Sequence, residues 1–315
     1  TIVRRLVGRG DTVRVLARGE YPALAKLGVE TARGDIANYR VVEAAADECD
    51  AVIHAAAKAG VWGPYLGYYD TNFIGTQNVL NACRRHGIGR LIYTRPQSVA
   101  FAGTDQNGVD ESAPYATKFL AHYPRTKAMA EQLVLAANDP DLSTVALRPH
   151  LLWGPDDTQL VPRILERART GKLRIVGSGE QKVDATYIDN AADAHVLALD
   201  RLGPEAACAG KVYYISNGEP LPIGEIINRI LDAADLPPVK HHVSASMAYT
   251  AGRLMEWAYQ LMRREDEPPM TRFVARQLAT AHWYDISAAR RDLGYTPAVT
   301  MDEGFRRLRE SLATD

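Results

Sequence analysis

The sequence predicts an α/β fold, a doubly wound parallel sheet followed by a smaller C-terminal lobe. Strand-like and helix-like stretches alternate through the first two hundred residues, as they do in βαβ units with right-handed crossovers and helices on both faces. The stretch "AVIHAAA" (51–57) reads as a buried strand that ends in small residues. After Pro149 the texture changes to shorter strands and more proline.

Each element follows from its own pattern. In the opening "TIVRRLVGRGDTVRVLARG", Ile2, Val3, Leu6 and Val7 fall at i, i+1, i+4 and i+5, the spacing of an amphipathic helix. Gly10-Asp11 makes a turn, and "TVRVLA" (12–17) alternates like a strand. A short strand is expected near 29–32 and a helix over 39–46. "YDTNFIGTQNVLNACRRHG" reads as one long helix stopped by Gly87, and "RLIYT" (90–94) as a strand. A helix over 125–138 precedes the strand "STVALRP". Beyond it come helices at 158–170, 189–202, 223–234 and 246–264, with "KVYYIS" as a strand. Residues 1–150, with parts of 184–216, are assigned to a dinucleotide-binding domain, and 151–315 mainly to a substrate-binding lobe. A helix feeding a second strand is normally preceded by a first strand and a glycine-rich loop that cradles a pyrophosphate. The expectation is therefore a Rossmann fold lacking its first strand and Gly-rich loop, the chain being truncated at its N-terminus.

Composition narrows the function classes. A net charge of -1 gives no reason to expect nucleic acid or an anionic membrane as partner. The three cysteines lie far apart with no CxxC, which reads as free thiols in a cytoplasmic protein. No metal-ligand spacing is visible. No apolar run reaches the ~18 residues of a membrane span.

The chemistry-bearing pattern is "HYPRTKAMAEQL", with Tyr123 and Lys127 four apart on one helical face. A phenol near pKa ~10 is a poor acid–base group at neutral pH. A nearby ammonium favours the phenolate, so the tyrosine can exchange a proton with an alcohol or carbonyl oxygen. The pair alone is a weak signal; its place between the strands "RLIYT" and "STVALRP" gives it weight.

With "DAVIHAAA", "NFIGTQNVLNACRRHGIGRLIYT", "YPRTKAMAEQLV", "LRPHLLWGP", "VDATYIDNAADAH" and "HWYDISAARRDLGYTP" in this order, the chain resembles the extended short-chain dehydrogenase/reductase superfamily. It is most similar to the branch of 3β-hydroxysteroid dehydrogenases, sterol 4-carboxylate 3-dehydrogenases and 2-alkyl-3-oxoalkanoate reductases of olefin biosynthesis. The resemblance implies that Tyr123 donates or accepts the proton. It implies that Lys127 lowers the pKa of Tyr123 and binds the nicotinamide ribose. Ala55, Ala56 and Ala57 would let the cofactor backbone approach closely, and Asp35 and Ile36 would lie beside the adenine. Asn72 would support the site, the alternative being a helix-surface or capping role. Pro149 and His150 would lie in the loop over the nicotinamide, with His150 either a base or a packed polar residue.

Cofactor choice is read at the end of the second strand. An acidic residue there suits the ribose hydroxyls of NAD, but this chain has Ala17-Arg18. A guanidinium fits a 2′-phosphate by charge and by bidentate geometry, so NADP is expected ahead of NAD, unless Arg18 is a solvated surface charge. One departure stands out. Where the family has a Thr-Ser-Ser-type segment, this chain reads "YTRPQSVAF", which puts Arg95 and Pro96 in the two serine positions. Pro96 has neither a side-chain donor nor a backbone N–H, and neither Thr94 nor Ser98 aligns. Loss of such a donor costs on the order of 10²–10³ in rate at comparable sites.

The helix "MAYTAGRLMEWAYQLM" (247–262) carries a wide apolar face. It is either a core-packing helix or a lid over a long acyl or sterol substrate, resting on a membrane surface or a pathway enzyme. The expected activity is NADP-dependent interconversion of 3-oxo and 3-hydroxy groups on a hydrophobic substrate, a 2-alkyl-3-oxoalkanoate first and a sterol second. The competing readings are a non-catalytic NADP-binding sensor or scaffold and a sugar-nucleotide epimerase or dehydratase. A homodimer is the expected assembly.

Overall fold

The computed structural model describes residues 1–95, 101 and 103–313; Pro96 and Ser98 lie outside them. Helix α1 (Ile2–Gly8) leads into β1 (Arg14–Ala17), followed by α2 (Pro22–Ala25) and β2 (Glu30–Arg33), which pairs with β1 in parallel. Helix α3 (Tyr39–Ala46) is capped by the Asn38 side chain, which accepts from the Arg40 N–H. Next come β3 (Val52–His54), α4 (Tyr65–Tyr68), a π-turn (Tyr69–Ile74) and α5 (Gly75–His86). Helix α5 ends, as expected, at Gly87 with φ 65°, a left-handed stop that glycine adopts without strain. Strand β4 (Arg90–Thr94), β5 (Gln106–Val109), α6 (His122–Ala136) and β6 (Ser143–Pro149) complete this half.

The central sheet has the order β11-β6-β4-β3 and is parallel throughout, β11 being Lys211–Ile215. Its two faces are both covered. Leu91 and Tyr93 of β4 pack with Val79, Leu80, Ala130 and Val134 from α5 and α6. Ile92 packs with Ala194, Ala198 and Leu199 from the helix Ile188–Arg201. This alternation along a parallel strand makes the doubly wound arrangement. The β1–β2 pair forms a sheet of its own and is not a ladder partner of β3. Helix α1 has no buried residue. Ion pairs hold it to Ile188–Arg201: Arg5 Nε to Asp193 at 2.8 Å and Arg9 Nη1 to Asp200 at 2.7 Å.

Beyond β6 the chain gives β7 (Leu152–Trp153), α7 (Leu160–Arg169), β8 (Ile175–Val176), β9 (Lys182–Val183), β10 (Thr186–Tyr187) and α8 (Ile188–Arg201). After β11 come β12 (Leu221–Pro222), α9 (Ile223–Ala233), β13 (His242–Val243), α10 (Ala245–Leu261), α11 (Arg272–Ala279), β14 (His282–Tyr284), α12 (Ser287–Leu293) and α13 (Met301–Leu312). A separate core of Trp153, Leu165, Tyr187, Ile226, Ile230 and Phe305 joins α7, α9 and α13. A second four-stranded sheet, order β12-β9-β14-β5, ties β5 to the C-terminal residues.

Several expectations need correction. The strand expected over 51–57 ends at His54, so the three alanines lie in the following loop. The single long helix is broken by the π-turn, because the Asn72 side chain is held by the Lys58 backbone and draws that turn inward. Helix α10 does not pack through its large apolar residues. Ala248, Gly252 and Glu256 are the buried ones, while Met247, Leu254, Trp257 and Leu261 are 61–70 % exposed. The reason is the closeness of α11: a Cβ on Gly252 would come within 2.6 Å of the Thr271 backbone, so only a small-residue stripe can face it. No helix among the described residues is long and apolar enough to cross a membrane.

Candidate active site

Parallel α/β sheets present ligands at the carboxyl ends of their strands, and the expected site residues gather there. Tyr123 and Lys127 lie on the first two turns of α6. Lys127 is 1 % exposed, and its Nζ donates to the Thr94 carbonyl at the end of β4, 2.9 Å away. Its ammonium also sits 4.2 Å from the Tyr93 ring centroid. Burial, and then Arg95, bring Lys127 down to about 7. Tyr123 is half-buried. Desolvation pushes its phenol up to about 12, with Arg95 pulling the other way and Tyr68 adding to the rise.

Asn72 is 1 % exposed and is neither a surface residue nor a cap. Its Oδ1 accepts from the Lys58 N–H (2.8 Å), and its Nδ2 donates to the Lys58 carbonyl (3.2 Å) and to Thr126 Oγ1 (3.0 Å). It therefore locks the loop carrying Ala55, Ala56 and Ala57 to the helix carrying Tyr123. Ala55 and Ala56 are exposed and Ala57 half-buried. Asp35 is half-buried and its carboxylate accepts from the Ala37 N–H. Ile36 is buried, its carbonyl taken by Asn78 Nδ2 (2.9 Å). Arg18 is exposed just past β1, and its carbonyl accepts from Arg33 Nε. Pro149 is buried at the end of β6.

His150 is a packed residue: it is 7 % exposed, lies edge-on to His282 and Tyr284, and burial holds it well below the usual imidazole range. The Thr94 hydroxyl is engaged with His195 Nε2 at 2.7 Å. The pattern reading gave no role to Arg95 beyond its departure from serine, and none to Glu131. Both are buried and ion-paired to each other, and Arg148 adds a second guanidinium on Glu131, 2.8 Å from Oε1. Tyr115 donates to the same carboxylate (2.6 Å). Glu131 lies one turn beyond Lys127 on the same face, a spacing visible in the sequence. Burial works against its charge, but Arg95 and Arg148 outweigh it and lower its pKa.

The comparisons with known proteins concern the chain as a whole. Over 315 residues the chain is 54 % identical to the 2-alkyl-3-oxoalkanoate reductase of Stenotrophomonas maltophilia (strain K279a), covering 99 % of this chain and 95 % of that one. It is 35 % identical to the decarboxylating sterol-4-alpha-carboxylate 3-dehydrogenase of Mus musculus, over 98 % of this chain and 86 % of that one. Among solved structures, the UDP-glucose 4-epimerase of Thermus thermophilus in complex with NAD superposes with a TM-score of 0.73 at 23 % identity, covering 99 % of this chain and 94 % of that one. That likeness concerns the fold. The model of the 3-beta hydroxysteroid dehydrogenase/isomerase family matches residues 1–243. The chain belongs to the 3-beta hydroxysteroid dehydrogenase/isomerase family.

Proposed function

We propose that this chain, an oxidoreductase of that family, interconverts a 3-oxo and a 3-hydroxy group on a hydrophobic acid with NADP(H), the best-supported substrate being a 2-alkyl-3-oxoalkanoate. The observation that carries the reading is the Tyr123–Lys127 face of α6, with a half-buried Tyr123 and a buried Lys127 hung from the strand end by the Lys127–Thr94 hydrogen bond. The residues present fit a nicotinamide dinucleotide: Lys127 has three N–H donors, and Thr94 is its one hydrogen-bond acceptor among the described residues. The spare donors suit ribose hydroxyls. The small side chains at 55–57 leave room for close approach, and Arg18 provides charge for a 2′-phosphate. The bound cofactor supplies the hydride chemistry.

This chain's own residues orient the substrate and handle the proton. Tyr123 holds the proton that a reduced carbonyl oxygen takes up, and releases it toward that oxygen. Asn72 fixes the distance between the alanine loop and α6, so the reacting groups keep one geometry. Residues from 151 onward form the substrate lobe, with the exposed apolar stripe of α10 as the surface that meets a long alkyl chain or the phase it comes from.

The test is NADPH oxidation followed by nicotinamide absorbance with a long-chain 2-alkyl-3-oxo acid and a 3-oxosterol side by side. Turnover of the acid, abolished in Tyr123→Phe with NADPH binding retained, is the expected result. Tight NADPH binding with no turnover of either compound would make this a nucleotide sensor and overturn the reading.

A further inference from the structure

The stretch "VDATYIDNAADAH" ends in His195, a residue that the proposed reaction leaves without a role. His195 lies on α8 and is 2 % exposed. Around it Ala194, Ala198 and Leu199 pack on Ile92 of β4. A polar ring in such an apolar layer needs a partner, and it has two. Nδ1 stands 2.7 Å from the Ala191 carbonyl, and Nε2 stands 2.7 Å from the Thr94 hydroxyl. A carbonyl oxygen only accepts, so Nδ1 carries the hydrogen. Burial lowers the pKa of the ring, which is neutral at pH 7. Nε2 is then a bare acceptor, and the Thr94 hydroxyl donates to it.

Thr94 is the last residue of β4, and the sheet holds it from one side only. Strand β3 pairs with β4 no further than Tyr93, whereas β6 still faces Thr94 with Leu147. Side chains alternate along a strand, so the Thr94 hydroxyl falls on the α8 side with Ile92, while Tyr93 packs on the α5–α6 side. From that other side comes Lys127 of α6, whose Nζ donates to the Thr94 carbonyl (2.9 Å). One residue at a strand end is therefore clamped through its hydroxyl by α8 and through its carbonyl by α6. Helix α8 is in turn fixed at its first turn. There Asn190 Nδ2 donates to the Val299 carbonyl (2.7 Å) and to Asn217 Oδ1 (2.9 Å). The line of support runs from the C-terminal lobe through α8 and β4 to the Lys127 amine.

We propose that His195 is a positioning residue for the nicotinamide end of the cofactor site: it holds Thr94, and the Thr94 carbonyl sets where the Lys127 donors meet the ribose. The proposal rests on Lys127 as the ribose-binding group of the proposed function. Stability alone does not call for the His195–Thr94 pair, since apolar groups of the same shape in place of a buried donor and acceptor are nearly neutral. What an apolar pair lacks is direction. A hydrogen bond holds the hydroxyl along one line, and a methyl group in its place lets the strand end turn. The Lys127–Thr94 bond, 2.9 Å long, is lost when the carbonyl moves away by about 0.7 Å.

The experiment measures binding, not turnover. Calorimetric titration compares NADPH with 2′,5′-ADP, which has the adenine half of the dinucleotide and no nicotinamide ribose. Lys127→Met sets the reference: NADPH should bind about tenfold more weakly or worse, since the donors to the ribose are lost, and 2′,5′-ADP should be unchanged. His195→Leu should weaken NADPH by about threefold or more, again sparing 2′,5′-ADP, whereas a general loosening of the fold would weaken both. His195→Gln, which offers Oε1 as an acceptor, should restore most of the affinity. The double variant His195→Leu with Thr94→Val should recover the urea midpoint that His195→Leu loses, because no buried donor is left unpaired, and yet bind NADPH no better than His195→Leu. If His195→Leu does not fold, the double variant carries the comparison of the two nucleotides. Parent-like NADPH binding in either variant, or equal losses for both nucleotides, overturns the proposal. If Lys127→Met changes neither nucleotide, the ribose assignment falls and the proposal with it. If Lys127→Met weakens NADPH alone while His195→Leu does not, only the proposal falls.

Discussion

Glu131→Gln should cost about 3–5 kcal/mol of folding stability at pH 7, because it leaves two buried guanidiniums without their counter-charge. The side chain it replaces is fully buried. Its carboxylate accepts from Arg148 Nε (3.1 Å) and Nη2 (2.8 Å) and from the Tyr115 hydroxyl (2.6 Å), and it pairs with Arg95. Glutamine has the same shape but only one acceptor oxygen, and its NH₂ would point donor against donor at a guanidinium. The lower end of the range applies if the amide oxygen keeps the Arg148 and Tyr115 bonds. Urea denaturation of both proteins gives the difference from the shift in midpoint at unchanged slope. The pH dependence follows from the lowered pKa of Glu131. The contribution of a depressed carboxyl is complete above its unfolded value, near ~4.3, and is lost as pH falls through the folded one. The gap between the two proteins should therefore be full at pH 7 and narrow on acidification below pH ~4.3. A glutamine variant within about 1 kcal/mol of the parent at pH 7 would show that the guanidiniums are compensated elsewhere, and would refute the charge accounting.

Arg18→Asp should weaken NADPH binding by about 1.5–3 kcal/mol, the worth of one charge-assisted contact, and leave NADH binding similar or better; fluorescence titration of both nucleotides checks it. Gly252→Ala should destabilise the protein by about 1–3 kcal/mol despite its better helix propensity, because the new Cβ meets the Thr271–Arg272 backbone. Thermal unfolding measures that loss, and limited proteolysis should cut in α10–α11 first. Leu254→Asp with Trp257→Asp, both exposed, should leave stability within about 0.5 kcal/mol yet raise KM for long-chain 3-oxo acids more than for short ones.

What the sequence made legible was local. The helix stop at Gly87 and the parallel run of β3, β4 and β6 all have short-range causes, whether a left-handed glycine or an apolar strand between helices. The second sheet was not legible, because β14 is three residues long and pairs with β5 more than 170 residues away. Nor was the π-turn, since its cause is a tertiary bond from Asn72 to the Lys58 backbone. The apolar face of α10 misled because hydrophobic spacing marks a stripe but does not say whether it turns inward. There the close approach of α11 selected the small residues. In the candidate site, the i, i+4 spacing of Tyr123 and Lys127 was visible in the sequence, but only their place between two strands gave it weight. Glu131 had the same spacing, but its importance depends on Arg95 and Arg148, which arrive from two different strands.

The attachment of α1 gives the protein a dependence on ionic strength. With no buried residue, this helix packs only a half-buried Leu6 against the core that α8 shares, and arginine–aspartate pairs such as Arg5–Asp193 and Arg9–Asp200 add to its hold on α8. Each such pair is worth about 0–1 kcal/mol and is screened by salt. The Debye length shrinks from ~10 Å at 0.1 M to ~3 Å at 1 M. Helix α1 runs directly into β1, and Arg18 follows β1. Added salt therefore acts twice on any anionic ligand that Arg18 holds: it screens the contact itself, and it loosens the support on which Arg18 stands.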